Sequence, residues 1–199
     1  RRAHVVGRRR EEEGAAAAAI KAIVSSHGRL DGAFNNAGIT GPTVKLLDID
    51  PKEWAQVLAV NLTGVFSCVQ AEIAQMVQQE AGGSIVNTAS ICGLVALPHA
   101  TAYNSAKHGV IGLTKSAAVE YGPKKIRVNA VCPGFIDTPM LAKGAGASQE
   151  VLDGVVRQLP IRRIADPSEV ADVVAWLMSP HSSYVTGVAM PIDGGWTAQ

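Results

Sequence analysis

Short apolar runs rich in Val and Ile alternate along the chain with longer stretches whose apolar residues recur at helical spacing, the pattern of a parallel sheet covered on both faces. The runs predict strands over His4–Gly7, Leu30–Asn35, Ser84–Thr88, Arg127–Val131 and Ala189–Ile192. The intervening stretches predict helices over Ala15–Ser26, Pro51–Gln79 with a break near Asn61, Ala102–Tyr121 and Pro167–Met178. Asp50-Pro51 and Asp166-Pro167, the latter with Glu169 just inside, are helix starts: the aspartate caps, and proline in the first turn gives up no hydrogen bond. Phe135–Leu159, with its Pro, Gly and mixed polarity, reads as a mobile lid or a short helical excursion. No repeat and no linker divides the chain, so one α/β domain over residues 1–199 is expected.

Composition narrows the partners. With 199 residues, 18 Lys+Arg against 17 Asp+Glu and a net charge of +1, the chain lacks the charge to hold nucleic acid or a membrane surface by electrostatics alone. No apolar run reaches the roughly 18 residues of a membrane span, and the basic start is followed by acids instead of a signal-peptide core, so a cytoplasmic protein is expected. Cys68, Cys92 and Cys132 are odd in number, widely spaced and set in apolar stretches, which favours buried reduced thiols over disulfides or a zinc site. His27, His99 and His108 have no partners at metal spacing and read as surface or loop residues, so no metal is expected, although His99 stands close before Tyr103 at the mouth of a site. Trp54, Trp176 and Trp196 read as packing residues, and Gly144-Ala145-Gly146 as part of a flexible lid.

The chemistry-bearing residues fall at strand ends. Tyr103 and Lys107 stand four apart on a predicted helix and so share a face. A neighbouring ammonium favours the phenolate, pulling the tyrosine pKa down from about 10 towards the range of a working proton donor. Ser90 lies just past the strand Ser84–Thr88, at the carboxyl end where open α/β sheets take ligands. Asn35-Asn36-Ala37-Gly38 and Pro133-Gly134-Phe135-Ile136-Asp137-Thr138 follow two further strands in the same way. Taken singly, Ser90 is equally a turn cap, Asn61 equally a helix bend and Pro133-Gly134 equally an ordinary turn.

In order along the chain, NNAG at Asn35–Gly38, Asn61-Leu62-Thr63-Gly64, Ser90, Tyr103-Asn104-Ser105-Ala106-Lys107, Pro133–Thr138 and Asp193-Gly194-Gly195 resemble the short-chain dehydrogenase/reductase family. The resemblance implies a doubly wound, Rossmann-type parallel sheet with helices on both faces, binding NAD or NADP and passing a hydride between that cofactor and a small-molecule carbonyl or secondary alcohol. It makes Tyr103 the acid/base and Ser90 the group that hydrogen-bonds the substrate oxygen. Lys107 would lower the tyrosine pKa and hold the nicotinamide ribose, and Asn61 would keep a water for a proton relay. Asn36, Ala37, Gly38, Pro133 and Gly134 would line the cofactor, while Thr138 and the backbone of Ile136 would fix the nicotinamide amide. The rival of another class is a catalytically silent NAD(P)-binding scaffold of the same fold. Leu94–Thr101 and Phe135–Leu159 would close a pocket suited to an apolar or moderately polar substrate. Apolar residues on more than one helix face, among them Phe66 and Val119, together with the resemblance, predict a homodimer or homotetramer.

His4–Arg9 resembles the family's second strand and its turn. Gly7 stands where an acid would accept from the ribose 2′-hydroxyl, and Arg8 follows, which leans the cofactor towards NADP. Two family features are missing from these 199 residues: the Thr-Gly-x-x-x-Gly-x-Gly turn and a third strand between Arg9 and Leu30. Restoring them would add on the order of 50 residues, so a longer natural polypeptide is expected.

Overall fold

The structure, a computed structural model, describes residues 14–143 and 148–199. The predicted strand His4–Gly7, Arg8 and Gly144-Ala145-Gly146 lie outside the described residues. Among the described residues four strands, β1 (Gly32–Asn35), β2 (Gly83–Thr88), β3 (Ile126–Pro133) and β4 (Ala189–Ile192), form one parallel sheet in the order β1-β2-β3-β4. The helices are α1 (Ala15–His27), α2 (Pro51–Leu58), α3 (Gly64–Met76), α4 (Thr101–Tyr121), α5 (Pro139–Lys143), α6 (Gln149–Gln158) and α7 (Pro167–Met178). Strand period sorts the core. Ile85, Val128, Ala130 and Cys132 face a cluster built with Val65, Val69, Ile73 and Met76 of α3 and Val110, Ile111, Ala117 and Ala118 of α4. Val86 and Val131, one residue out of phase, face Val174 and Leu177 of α7. The sheet is thus doubly wound.

Several boundaries differ from the sequence expectation for reasons the register supplies. β3 runs two residues past Val131 because it serves two partners: Ile126–Val131 pair with β2, whereas Ala130–Pro133 pair with β4. Leu30 stays outside β1 because a side chain takes its backbone: its N–H donates to Gln79 Oε1 at 2.9 Å and its carbonyl accepts from Gln79 Nε2 at 2.9 Å. Among the described residues of the stretch 135–159, expected to be a mobile lid or a short helical excursion, lie two helices, α5 and α6. α7 starts where expected, with Asp166 and Glu169 closing a reciprocal capping box. Cys68 is half-buried, unlike Cys92 and Cys132, and Trp176 is 39% exposed.

The helical stretch Pro51–Met76, 26 residues long with a hydropathy of 1.5 in its most apolar window, is long and apolar enough to cross a membrane by length and composition. Its inward face instead covers the sheet and α4: Val57, Asn61, Val65, Val69, Glu72, Ile73 and Met76 are all buried. At Ala59–Thr63 the helix widens to a π-turn, and Asn61 within it keeps to the buried face of Val57, Val65 and Val69.

Candidate active site

Because all four strands run parallel, their carboxyl ends share one edge, and three loops leave it together: 36–39 after β1, 89–93 after β2 and 134–138 after β3. Ser90 caps a one-turn 3₁₀ helix, Ile91–Gly93, its Oγ accepting from the Cys92 N–H at 3.1 Å. α4 then returns over this edge, carrying Tyr103 and Lys107 in its first two turns.

Asn61 reaches the first loop from the π-turn. Its Oδ1 accepts from the Ile39 N–H at 2.8 Å and its Nδ2 donates to the Ile39 carbonyl at 2.7 Å, with none of the residue exposed. A buried side chain engaged at both ends is a clamp on backbone. Gly38 sits under the clamp: a Cβ there would come within 3.1 Å of Asn61 Oδ1 and 3.7 Å of Lys107 Nζ. A side chain at residue 38 would crowd the Asn61 amide and fill the space over the lysine.

Lys107 is buried, its Nζ donating to the Thr88 carbonyl at 2.7 Å and lying 5.5 Å from the Tyr103 ring centroid. Thr88 also donates from Oγ1 to Asn36 Oδ1 at 3.0 Å, so the ends of β1 and β2 are stitched beside the lysine. The Tyr103 hydroxyl is pushed up to about 12: burial raises it most, the Cys92 thiol adds to this, and hydrogen bonding with Ser90 opposes both. The shift is upward where a fall was expected, because burying the phenolate costs more than hydrogen bonding with Ser90 returns. Burial likewise raises the Cys92 thiol and pushes Cys132 up to about 11, against opposing contributions from Ser90 and Lys107. Sequence reasoning placed these cysteines in the core and missed that they flank Ser90; the signal was Cys92 two residues after Ser90 and Cys132 at the last turn of β3 into Pro133.

The third loop is organised differently. Gly134 packs against Asp193, whose Cα and Cβ would each lie 2.9 Å from a Cβ at residue 134. Asp193 accepts from the Gly195 N–H at 3.0 Å and from the Thr197 N–H and Oγ1 at 2.9 and 2.6 Å, which accounts for the tail Asp193-Gly194-Gly195 as a turn brace. Ile136 bridges Ala165, and Thr138 Oγ1 accepts from the Leu141 N–H at 3.4 Å at the start of α5. The structure therefore gathers Gly38, Asn61, Thr88, Ser90, Tyr103 and Lys107 into one place, while Ile136 and Thr138 are tied to Ala165 and α5, and Asn36 and Ala37 stand exposed at the rim. Asn104 holds the segment before α4, donating from Nδ2 to the Leu97 carbonyl at 2.8 Å. The left-handed φ of 64° at His99 turns the chain into that helix.

An ammonium, a phenol and a serine hydroxyl around a glycine-lined gap fit the ribose and nicotinamide end of a dinucleotide, with hydrogen-bond donors for hydroxyls and a side-chain-free approach at residue 38. Residues 10–197 match the family described as enoyl-(acyl carrier protein) reductase. Cyclohexanol dehydrogenase of Acinetobacter sp. (strain SE19) is 43% identical over 181 residues, 91% of this chain and 69% of that protein. Levodione reductase has a crystal structure that superposes with a TM-score of 0.92 at 37% identity, covering 95% of this chain and 75% of the other. ElxO with NADP bound superposes with a TM-score of 0.90 at 33% identity, covering 96% and 77%.

Proposed function

The chain belongs to the short-chain dehydrogenase/reductase family, and from that premise we propose that Tyr103, Ser90, Lys107 and Asn61 carry its chemistry. It is an NAD(P)-dependent oxidoreductase of this family. When bound, the nicotinamide cofactor supplies a hydride to the carbonyl carbon or accepts one from the alcohol carbon. Tyr103, pushed up to about 12, holds its proton at neutral pH and is poised as the acid. In reduction its O–H passes the proton to the substrate oxygen as the hydride reaches the carbon, so carbonyl becomes alcohol and Tyr103 becomes phenolate until solvent returns the proton. Ser90 donates to the same oxygen and steadies its developing charge. Lys107, 5.5 Å from the Tyr103 ring, favours the phenolate left behind and would hold the nicotinamide ribose hydroxyls. Asn61 keeps Ile39 and Gly38 drawn down against the lysine. Asn36, Ala37 and Gly38 would line the cofactor with Pro133 and Gly134, and Ile136 and Thr138 would meet the nicotinamide amide.

The observation that carries this reading is the convergence of Gly38, Asn61 and Lys107, with a Cβ at residue 38 only 3.1 and 3.7 Å from the two polar atoms. For substrate we propose an apolar ketone or secondary alcohol, supported by Leu94, Val95 and Leu97 before α4 and by the partly exposed Met140 and Val151 of α5 and α6. NADP over NAD follows from Gly7 and Arg8. A homodimer or homotetramer is supported by exposed Phe66 on α3 and Val119 on α4, 46% and 80% accessible. The reduced thiols Cys92 and Cys132 support a cytoplasmic, reducing setting, and the shared sheet supports one domain. Tyr103→Phe keeps the ring and removes the proton, so turnover of cyclohexanol, cyclohexanone or any other alcohol or ketone the enzyme accepts should fall by about 10²- to 10⁴-fold. Undiminished turnover, read by nicotinamide absorbance, overturns the assignment.

A further inference from the structure

Beneath the carboxyl edge runs a chain of buried polar side chains that the mechanism above does not use. Asn35, the last residue of β1, and Asn87 in β2 are direct partners in the sheet register. The Asn35 Nδ2 amide donates to Glu72 Oε2 on α3 at 3.0 Å and to Asn87 Oδ1 at 3.0 Å, and Asn87 Nδ2 donates to Thr114 Oγ1 on α4 at 3.0 Å. Asn35, Glu72, Asn87 and Thr114 are 4, 5, 0 and 1% exposed. Apolar side chains would fill this layer without the desolvation that four polar groups demand, so a directional network here imposes geometry that packing alone does not. Both protons of the Asn35 amide are engaged between a carboxylate and a second amide, which leaves that side chain one orientation.

What the network orients is read from its backbone neighbours. Asn36, next after Asn35, accepts from Thr88 Oγ1, and Thr88, next after Asn87, holds Lys107 through its carbonyl. Thr114 lies two turns along α4 from Lys107, on the same face. We infer that Glu72 is a positioning residue: by fixing Asn35 against Asn87 and Thr114, it sets the spacing between loop 36–39, the Thr88 carbonyl and α4, and so the cofactor side of the site. What is positioned rests on the proposed function; the network itself does not.

Hydrogen exchange of the full polypeptide, read by mass spectrometry without cofactor, separates positioning from bulk stability. Glu72→Leu, similar in volume and unable to accept, should speed exchange of the amides at 36–39 by about 10-fold or more, with residues 189–192 of β4 within about 2-fold of the parent. The same variant should raise the KM for the dinucleotide about 10-fold while kcat stays within about 3-fold. Glu72→Gln keeps an acceptor oxygen and should remain within about 3-fold of the parent in both readings. Should Glu72→Leu fail to fold, the isosteric Thr114→Val, which removes only the far acceptor, is judged by the same local exchange. Uniform acceleration through all four strands, unchanged exchange at 36–39, an unmoved KM, or a Glu72→Gln protein as impaired as Glu72→Leu would each overturn the inference. A parent protein with no nicotinamide-coupled turnover would instead strike the proposed function, leaving the exchange result to decide the network.

Discussion

Removing the Asn61 amide is the most direct trial of the clamp on loop 36–39. Asn61→Ala deletes two hydrogen bonds of 2.8 and 2.7 Å and leaves the Ile39 N–H and carbonyl without those partners. Each such bond contributes about 1 kcal/mol net, and each backbone group left dry costs about 1–3 kcal/mol. Ile39 is half-buried, so water reaches part of what is exposed and the total falls near the low end, about 2–3 kcal/mol. For a chain of this size that is a fall in Tm of roughly 4–12 °C, read by circular dichroism or calorimetry under reversible conditions. Asn61→Asp is the sharper control. It has the same shape and still accepts from the Ile39 N–H, but it turns an oxygen against the Ile39 carbonyl, so it should be at least as damaging as alanine. A Tm within about 2 °C of the parent for Asn61→Ala, equivalent to roughly 0.5–1 kcal/mol, would mean that Ile39 rehydrates freely and that the clamp does not hold the loop.

Two glycines should respond with opposite signs. Gly134→Ala drives a Cβ to 2.9 Å from Asp193 backbone and should destabilise by about 1–3 kcal/mol, whereas Gly112→Ala, with nothing within 4 Å of its Cβ and a helical position in α4, should stabilise by about 0.5–1 kcal/mol. Equal Tm values for the two variants would refute the steric reading. Glu169, hydrogen-bonded by Arg163 at 2.6 and 2.7 Å and by the Asp166 N–H, is held down at about 2 from an ordinary 4.5. A depressed carboxylate stabilises the fold above its unfolded value and loses that contribution as pH falls through its folded one, so Glu169→Gln should flatten the acid limb of stability between 4.5 and 2. An unchanged acid limb in chemical denaturation would refute it.

Where structure follows from neighbouring residues, the sequence was legible. The α7 start needed only Asp166, Pro167 and Glu169, and β4 came out at its predicted bounds because turns close it on both sides. The break near Asn61 was visible too, but its π geometry and its partner, 22 residues away at Ile39, were not. The ends of β3 depended on which neighbour each half pairs with, and Leu30 on the distant side chain of Gln79. Gly38, Asn61, Ser90, Tyr103 and Lys107 were nameable from their motifs. Glu72 and Thr114 were not, since a polar residue on a helix carries no mark of what it meets once the helix packs. The rise of the Tyr103 pKa was equally hidden: the lysine four residues on is a local fact, whereas burial is a property of the finished fold.

The hydrogen bonds at the site divide it into two halves by distance along the chain. Asn61 meets Ile39 across 22 residues and Lys107 meets Thr88 across 19, so each half closes through a modest loop during folding. The halves meet at the carboxyl ends of β1 and β2, where Gly38 lies over Lys107 and Thr88 Oγ1 donates to Asn36 Oδ1. The phenol, the ammonium and loop 36–39 are brought into one space by the pairing of β1 with β2. The site thus depends on a non-local strand pairing as well as on its two local contacts, so a change that parts β1 from β2 should separate loop 36–39 from the lysine.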